Sequence, residues 1–261
     1  MNVKKSRGIS AFAVIAVSIV LTQLFFYLVL GADSNFENND PSQHPINLLG
    51  TMFKGGFVVP LILALLLTVL ILSVERFFAL NKAKGKGNLI KFVAAVKKEL
   101  KKGNFEAAQA LCDEQQGSVA AIVDAGLRKY KEMESQNLPK EAKIAQIKNE
   151  VEEATALQLP TMQQNLPIIA TISSLGTLMG LFGTVLGMIR SFQALAGAAG
   201  VDSMALSVGI SEALINTANG IATGALAIIS YSFFSGKVDN MTYAIEEIGF
   251  ALTQTFAETH E

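Results

Sequence analysis

Apolar residues in this chain fall into long uncharged blocks, separated by stretches in which they recur every three or four positions. Four runs, at residues 9–31, 55–74, 161–189 and 213–236, contain no Asp, Glu, Lys or Arg. Each reaches the ~20 residues that a helix needs to cross hydrocarbon. Between the second and third runs the spacing predicts soluble helices. After the linker "KAKGKGN", the segment "LIKFVAAVKKELKKG" puts Leu89, Phe92, Val93, Val96 and Leu100 on one face, with Gly103 as a stop. Asn104 is placed to cap "FEAAQALCDEQQG" and Ser118 to cap "VAAIVDAGLRKYKEMES". A longer pattern starts at Pro139 and carries Ile144, Ile147, Val151, Ala154 and Leu157 at helical spacing. No loop signal divides it from the third run, where only Pro160 and Pro167 intervene, so one rod with proline kinks is expected. Met241, Ile245, Ile248, Leu252 and Phe256 form another stripe, so the fourth run is expected to continue as a helix beyond the bilayer.

The predicted fold is all-α: a polytopic membrane protein with long helices extending into the cytoplasm. Its expected parts are a first span with an outer loop (1–54), a second span (55–75) and a cytoplasmic helical region (76–160). Two core spans (161–236) and a cytoplasmic C-terminal helix (237–261) complete it. Composition agrees, since 51% of the 261 residues are hydrophobic and 16% are charged, with a mean hydropathy of +0.40. Charge orients the spans. Lys4, Lys5 and Arg7 precede the first, and Asp33, Glu37 and Asp40 against Lys54 follow it. Arg76, Lys82, Lys84, Lys86, Lys91, Lys97 and Lys98 then follow the second. Because Lys and Arg favour the cytoplasmic side, both termini are expected there. The first run exceeds the ~7–15 residues of a signal-peptide core and reads as a retained span.

Little else in the chain carries chemistry. A net charge of −1 gives no reason to expect nucleic acid. Cys112 is the only cysteine, and His44 and His260 are isolated, so neither a disulfide nor a metal site is expected. No cofactor is expected, and no nucleophile–base pair or phosphate loop points to an enzyme.

The two halves of the membrane part differ in kind. The second span, "FVVPLILALLLTVLILSV", is bulky and aliphatic, as suits a lipid-facing surface. The third is rich in small and hydroxyl residues, with Gly176 and Gly180, Gly183 and Gly187 at four-residue spacing. Gly220 and Gly224 repeat that spacing in the fourth, a pattern that lets backbones approach closely in a membrane. Ser173, Thr177, Gly180, Thr184 and Gly187 line up on the third span. At about 100° per residue, Glu212, Asn216, Asn219, Thr223 and Ser230 share a face of the fourth, while Thr217 lies with Gly220 and Gly224. An acid in a span normally faces a bundle interior or an aqueous cavity. Glu212 therefore reads either as part of an ion path or as an interfacial acid favouring a helix N-terminus. The amides and hydroxyls read either as path lining or as interhelical hydrogen bonds. A polar stripe two helices deep makes no pore within one chain; several copies or a partner helix are needed.

At these residues the chain resembles the ExbB/TolQ/MotA family of ion-driven stators. "GLFGTVLGMIRSFQAL" followed by "GISEALINTANGIATG" is similar to the paired signature of the ExbB and TolQ branch, and "GNFEAAQALCDEQQGSVAAIVDAGL" to the loop before it. The resemblance covers roughly residues 55–235 and leaves out the first span and outer loop. Three core spans are usual for ExbB and TolQ and four resemble MotA, while the motif favours ExbB. The resemblance implies a homopentamer in the bacterial inner membrane enclosing helices of an ExbD-like partner. That partner's aspartate takes and releases the proton, and the pentamer offers a hydroxyl-lined path. Rotation then passes work to a TonB-like transducer. The family's polar positions fall on Thr184, Glu212 and Thr217. Asn216, Asn219 and Thr223 depart from the family pattern, as does Leu226, which stands where a proline is common. The added amides are able to coordinate sodium or to pair subunits. A TolQ-like envelope role, a gliding or flagellar stator, and a non-conducting membrane scaffold are the alternatives.

Overall fold

The computed structural model describes residues 10–196 and 203–259. The basic residues Lys4, Lys5 and Arg7, the first residue of the 9–31 run, and His260 lie outside the described residues. Nine α-helices are present among those described, and no strand is: α1 Ala11–Phe25, α2 Leu48–Phe53, α3 Val58–Lys84, α4 Leu89–Lys101, α5 Phe105–Gln115, α6 Gly117–Ser135, α7 Lys140–Gln163, α8 Leu166–Leu195 and α9 Ser203–Thr259. Four stretches are long and apolar enough to cross a membrane, and they correspond to the four uncharged runs. The chain divides into two compact units, one of residues 10–75, 165–196 and 203–232, the other of residues 76–164 and 233–259.

In the first unit, α1 runs on into a π-helical turn, Phe26–Leu30. A π turn shifts the hydrogen-bond register and leaves carbonyls in need of donors. Asn35 supplies them, donating from Nδ2 to the carbonyls of Val29 at 2.7 Å and Leu30 at 3.1 Å. Asn47 in turn donates to Asn35 Oδ1 at 2.9 Å and accepts from the Gly50 N–H to cap α2. Two asparagines thus order the connection from α1 to α3. Phe53 stacks on Phe26 with ring centroids 4.8 Å apart and meets Phe36 edge-on. Phe26, Leu30 and Val59 are the buried centre of this cluster, and Ile215 of α9 packs against it.

The aliphatic second span is more covered by this chain than the third is. Val58, Val59, Ile62, Val69 and Leu72 of α3 are fully buried. Of its most apolar stretch 44% is buried, against 28% for the small-residue third span. Bulky side chains of α3 fill space within the chain, whereas on α8 the glycines are buried and Leu178, Leu181 and Phe182 stay exposed.

The second unit is a helical layer closed by the end of α9. The stripes expected on α4 and α9 are buried apart from Leu89, which is half-buried: Phe92, Val93, Val96 and Leu100 on one, and Met241, Ile245, Ile248, Leu252 and Phe256 on the other. On α7 the stripe fades, with Ile147 and Val151 buried but Leu157 72% exposed. Asn88 and Asn104 cap α4 and α5 through their side-chain oxygens. Ser118 is not a cap, because α6 begins one residue earlier, at Gly117 behind Gln116 at φ 58°. That tight turn brings Gly117 against the Ala83 and Lys82 carbonyls, where a Cβ would clash. Tyr130 is buried against Phe105 and Phe256, and its hydroxyl meets the Thr259 hydroxyl at 2.9 Å.

A further expectation fails. The third span and the preceding helix are not a single kinked rod. The chain leaves helical geometry at Gln164 (ψ 139°) and Asn165 (φ 64°), and α8 begins anew at Leu166. Asparagine tolerates the left-handed region, and Pro167 falls in the first turn of α8, where its missing N–H is not needed. Pro160 is accommodated inside α7. Arg76, 1% exposed, donates to the Thr161 and Met162 carbonyls at 3.2 and 3.3 Å, satisfying the end of α7 with a positive charge. Asn165 Nδ2 donates to Glu75 at 3.3 Å.

Two outcomes follow from this packing. Arg76→Met removes the donors from a buried helix end and is expected to destabilise the protein by about 1–3 kcal/mol, read as a lowered unfolding midpoint in detergent. Cys112 is buried, and that burial, reinforced by Asp124 and Asp113, pushes its thiol up to about 12. It should resist maleimide in the folded protein up to about pH 9 and react quickly once unfolded; equal rates in both states would contradict the packing.

Candidate functional site

The centre of the membrane part is the contact between α8 and α9, and glycine sets its distance. A Cβ added at Gly180 would lie 2.9 Å from both the Gly220 Cα and the Asn216 carbonyl oxygen. At Gly220 it would lie 2.6 Å from the Gly180 Cα and 2.7 Å from the Gly176 oxygen. Gly176 meets Thr223 and Gly224, Gly187 meets Gly209 and Ala213, and Gly224 meets Ser173. Gly183 faces the Asn216 side chain, which fills the volume a methyl group would take. All four glycines of α8 are buried, as are Gly220 and Gly224. Backbones in van der Waals contact are what holds helices together where surrounding lipid is as apolar as they are.

This approach separates the polar candidates into two groups. Thr184 and Thr217 are half-buried, and their hydroxyls are in direct hydrogen-bond contact across the two helices. Each also has a carbonyl of its own helix within reach, Gly180 at 3.2 Å from Thr184 and Ala213 at 3.1 Å from Thr217, so one hydroxyl donates to the other and the second donates to its own helix. Thr177 lies exposed on α8, its hydroxyl satisfied by the Ser173 carbonyl at 3.2 Å. A hydroxyl bonded back to its own helix needs no aqueous surroundings.

The second group is inside the chain. Glu212 is 1% exposed, and Asn216 and Thr223 are fully buried; Asn219 is half-buried. Asn216 Nδ2 donates to the Gly55 carbonyl at 2.8 Å and the Glu212 carbonyl at 2.9 Å, tying α9 to the turn before α3. Asn216 Oδ1, Asn219 Nδ2 and Thr223 Oγ1 have no hydrogen-bond partner among the described residues. Ser230, on the same face, is half-buried.

Three further residues of this site are not singled out by the sequence pattern. Arg190, from the end of α8, forms an ion pair with both carboxylate oxygens of Glu212. Gly56 sits against the same carboxylate at φ 75°, where any Cβ would strike Glu212 Oε1, and Gly55 supplies the carbonyl that Asn216 uses. A signal for Arg190 does exist: it is the first charge after the third uncharged run, as Glu212 is the last before the fourth. Antiparallel neighbours bring those two ends together. The two glycines carry no such signal, because nothing in their spacing names their partner.

Among the described residues no group of three or more His, Cys, Asp or Glu is placed to hold a metal ion. The site therefore consists of paired hydroxyls, buried amides and one charge-compensated acid. A model of the MotA/TolQ/ExbB proton channel family matches residues 114–247, more than half of the chain, taking in α8 and α9 as far as Glu247. The chain belongs to that family.

Similarity to individual members is moderate. A biopolymer transport ExbB homolog of Methanothermobacter thermautotrophicus is 27% identical over 208 residues, 78% of this chain and 70% of that protein. The Tol-Pal system protein TolQ of Haemophilus influenzae is 35% identical over 82 residues, 31% of this chain and 36% of its own length. TolQ of Pseudomonas aeruginosa is 31% identical over 120 residues, 46% of this chain and 52% of its own. The matched part thus spans about two thirds of one relative and about half or less of the other two. This member of the MotA/TolQ/ExbB family is a multi-pass membrane protein, with the glycine contacts of its helix pair inside the matched region.

The glycine contacts give a graded expectation. Gly180→Ala and Gly220→Ala must push backbones apart, so each should destabilise the protein by about 1–3 kcal/mol. A Cβ added at Gly236 would meet nothing within 4 Å, so Gly236→Ala should be neutral or stabilising by up to about 1 kcal/mol. Melting followed by circular dichroism in detergent separates the two classes, and a uniform response at all three positions would count against the close approach.

Proposed function

We propose that this chain is an ion-channel and stator subunit of the bacterial inner membrane, with both termini cytoplasmic. In this reading it works as a homo-oligomeric ring, a pentamer as in the family it resembles, around the helices of an ExbD-like partner. The complex uses the proton motive force to energise a TonB-like transducer and, through it, outer-membrane transport. The observation that carries the reading is the Thr184–Thr217 hydroxyl pair on the glycine-packed helices. Hydroxyls can accept and donate a proton in sequence but do not hold one as a charge at neutral pH. A chain whose mid-span polar groups are hydroxyls and amides shapes a path for a proton and leaves its release to a partner's acid.

The two polar groups then have different tasks. Thr184, Thr217 and Thr177 line the path. Glu212, with Arg190, Asn216 and the Gly55–Gly56 turn, fixes the outer end of α9 against α3 and α8. Asn219 and Thr223 lie along the same buried face as Asn216 and stiffen that contact or receive water. The glycines at 176, 180, 183, 187, 220 and 224 keep the two path helices in register.

A TolQ-like role in the envelope is the second reading, and the local identity of 35% to a TolQ protein favours it. Its cellular readout differs: ferric-siderophore growth reports the first role, and resistance to detergents reports the second.

Thr184→Val keeps the β-branched shape and removes the hydroxyl. Losing one such hydrogen bond is worth about 1–1.5 kcal/mol, which predicts roughly tenfold slower proton flux in liposomes holding this protein and an ExbD-like partner. In a host lacking its own copy, ferric-siderophore growth should fall in parallel at unchanged protein level. Unaltered flux and growth would remove the hydroxyl pair from the path. Arg190→Gln should instead lower stability more than flux per folded complex, because it strands the buried Glu212.

A further inference from the structure

A groove of about 1120 Å³ lies within the second unit. Its walls are the last turn of α3, the length of α4, and α9 from Lys237 to Glu247. Six lysines line it, Lys84, Lys97, Lys98, Lys101, Lys102 and Lys237, and Glu247 is the acid among its lining residues. Glu247 is already taken by Lys97 at 2.7 Å, and Lys102 is paired with Glu99 at 2.7 Å. Lys84, Lys98, Lys101 and Lys237 have no ion pair among the described residues, so the groove holds an excess of positive charge.

Its floor is apolar. Leu80, Val93, Met241 and Ala244 lie beneath the lysines, each at most 5% exposed. At its rim Ile90 and Tyr243 are 79% and 68% exposed. A site for a free, fully hydrated anion has no use for an apolar floor and an apolar rim. A molecule with a phosphate at one end and hydrocarbon at the other uses both.

The groove also stands where such a molecule is found. Lys237 directly follows the fourth uncharged run, and Lys84 ends the helix that contains the second. The Lys237 ammonium rests over the rings of Phe77 at 5.0 Å and Phe233 at 4.6 Å. Phe77, Phe78 and Phe233 are all exposed, as aromatic side chains are at the level of lipid headgroups. Basic pockets beside span ends suit anionic headgroups, and a Lys on this surface adds roughly a fivefold preference (about 1 kcal/mol) for an anionic lipid.

We propose that this groove binds an anionic phospholipid, with the phosphate held by Lys84, Lys98, Lys101 and Lys237 and the start of an acyl chain on the Leu80–Met241 floor. None of its residues belongs to the ion path. It depends on the chain being a membrane protein and not on what ion it conducts. Bound there, the lipid would join α4 to the end of α9 and couple the second unit to the composition of the leaflet beside it.

Native mass spectrometry of the full chain in detergent tests this, because it reads lipid adducts and oligomeric mass together. Phosphatidylglycerol and phosphatidylcholine are offered in turn, with inorganic phosphate as a competitor. The wild-type protein should retain phosphatidylglycerol in preference to phosphatidylcholine, and equimolar inorganic phosphate should not displace it. Lys98→Gln with Lys101→Gln should reduce retention by about tenfold or more at unchanged oligomeric mass. The exposed control pair Lys131→Gln with Lys148→Gln should leave it unaltered. Equal retention of the two lipids, or equal loss in the control pair, would overturn the proposal. So would displacement by phosphate alone, which makes the groove a simple anion site. A variant that loses no lipid but changes oligomeric mass would instead assign the groove to contact between copies of this chain.

Discussion

The separation of α8 and α9 is the constraint on which the rest of the membrane part depends. In hydrocarbon no hydrophobic force draws two helices together, so contact between them must come from dispersion and hydrogen bonds at short range. Gly180 against Gly220 brings backbone to backbone. Only at that distance do the Thr184 and Thr217 hydroxyls meet, and only there does the Asn216 side chain fit in the space left by Gly183. The polar chemistry of the site is therefore a consequence of the glycines. A larger residue at Gly180 would leave every polar side chain in place along the sequence and still take the pair apart.

Charge is handled by a different device where α8 ends and α9 begins. A buried carboxylate is expensive unless a cation and hydrogen bonds accompany it. Glu212 has Arg190 on its oxygens, while its backbone carbonyl and the Gly55 carbonyl share the Asn216 amide. Half of the Arg190 side chain is exposed, so the pair keeps one side toward solvent or headgroups and escapes part of the desolvation penalty. An acid held in this way organises three segments: the turn before α3, the end of α8 and the start of α9. This makes Glu212 more useful as a pivot than as a carrier, since a carrier must let its charge come and go.

Much of this is legible in the residues, and the parts that are not share a cause. Uncharged length marks the spans, and three-and-four spacing marks the buried stripes of α4 and α9, because both signals are local and periodic. The glycine pairs show where helices can approach. What periodicity cannot say is which polar face looks inward. Glu212, Asn216 and Thr223 share a face as expected, yet that face is covered by this chain's own α3 turn and α8. Bulk in the second span suggests a lipid surface, although large aliphatic side chains serve equally to fill a core, as Val59 and Ile62 do. The break at Asn165 is hidden because its cause, a left-handed residue, carries no compositional mark beyond being asparagine. The role of Arg190 is hidden for another reason: pairing across two helices is a tertiary fact, though the matching ends of the two runs point to it.

The uneven burial of the spans bears on how such a chain can take part in a larger assembly. The aliphatic α3 is the more covered helix, and the small-residue α8 the less covered one. Leu178, Leu181 and Phe182 of α8 remain exposed beside Thr177. If lipid alone bathed that surface, a run of leucines without hydroxyls would serve better. If only water did, the leucines and phenylalanine would be out of place. A mixed surface suits a neighbour that is itself mixed, as the proposed ring of copies around a partner helix would provide. The division of labour proposed for the helix pair follows from that asymmetry, because α3 and the loop before it hold the first unit together and leave one side of α8 uncovered.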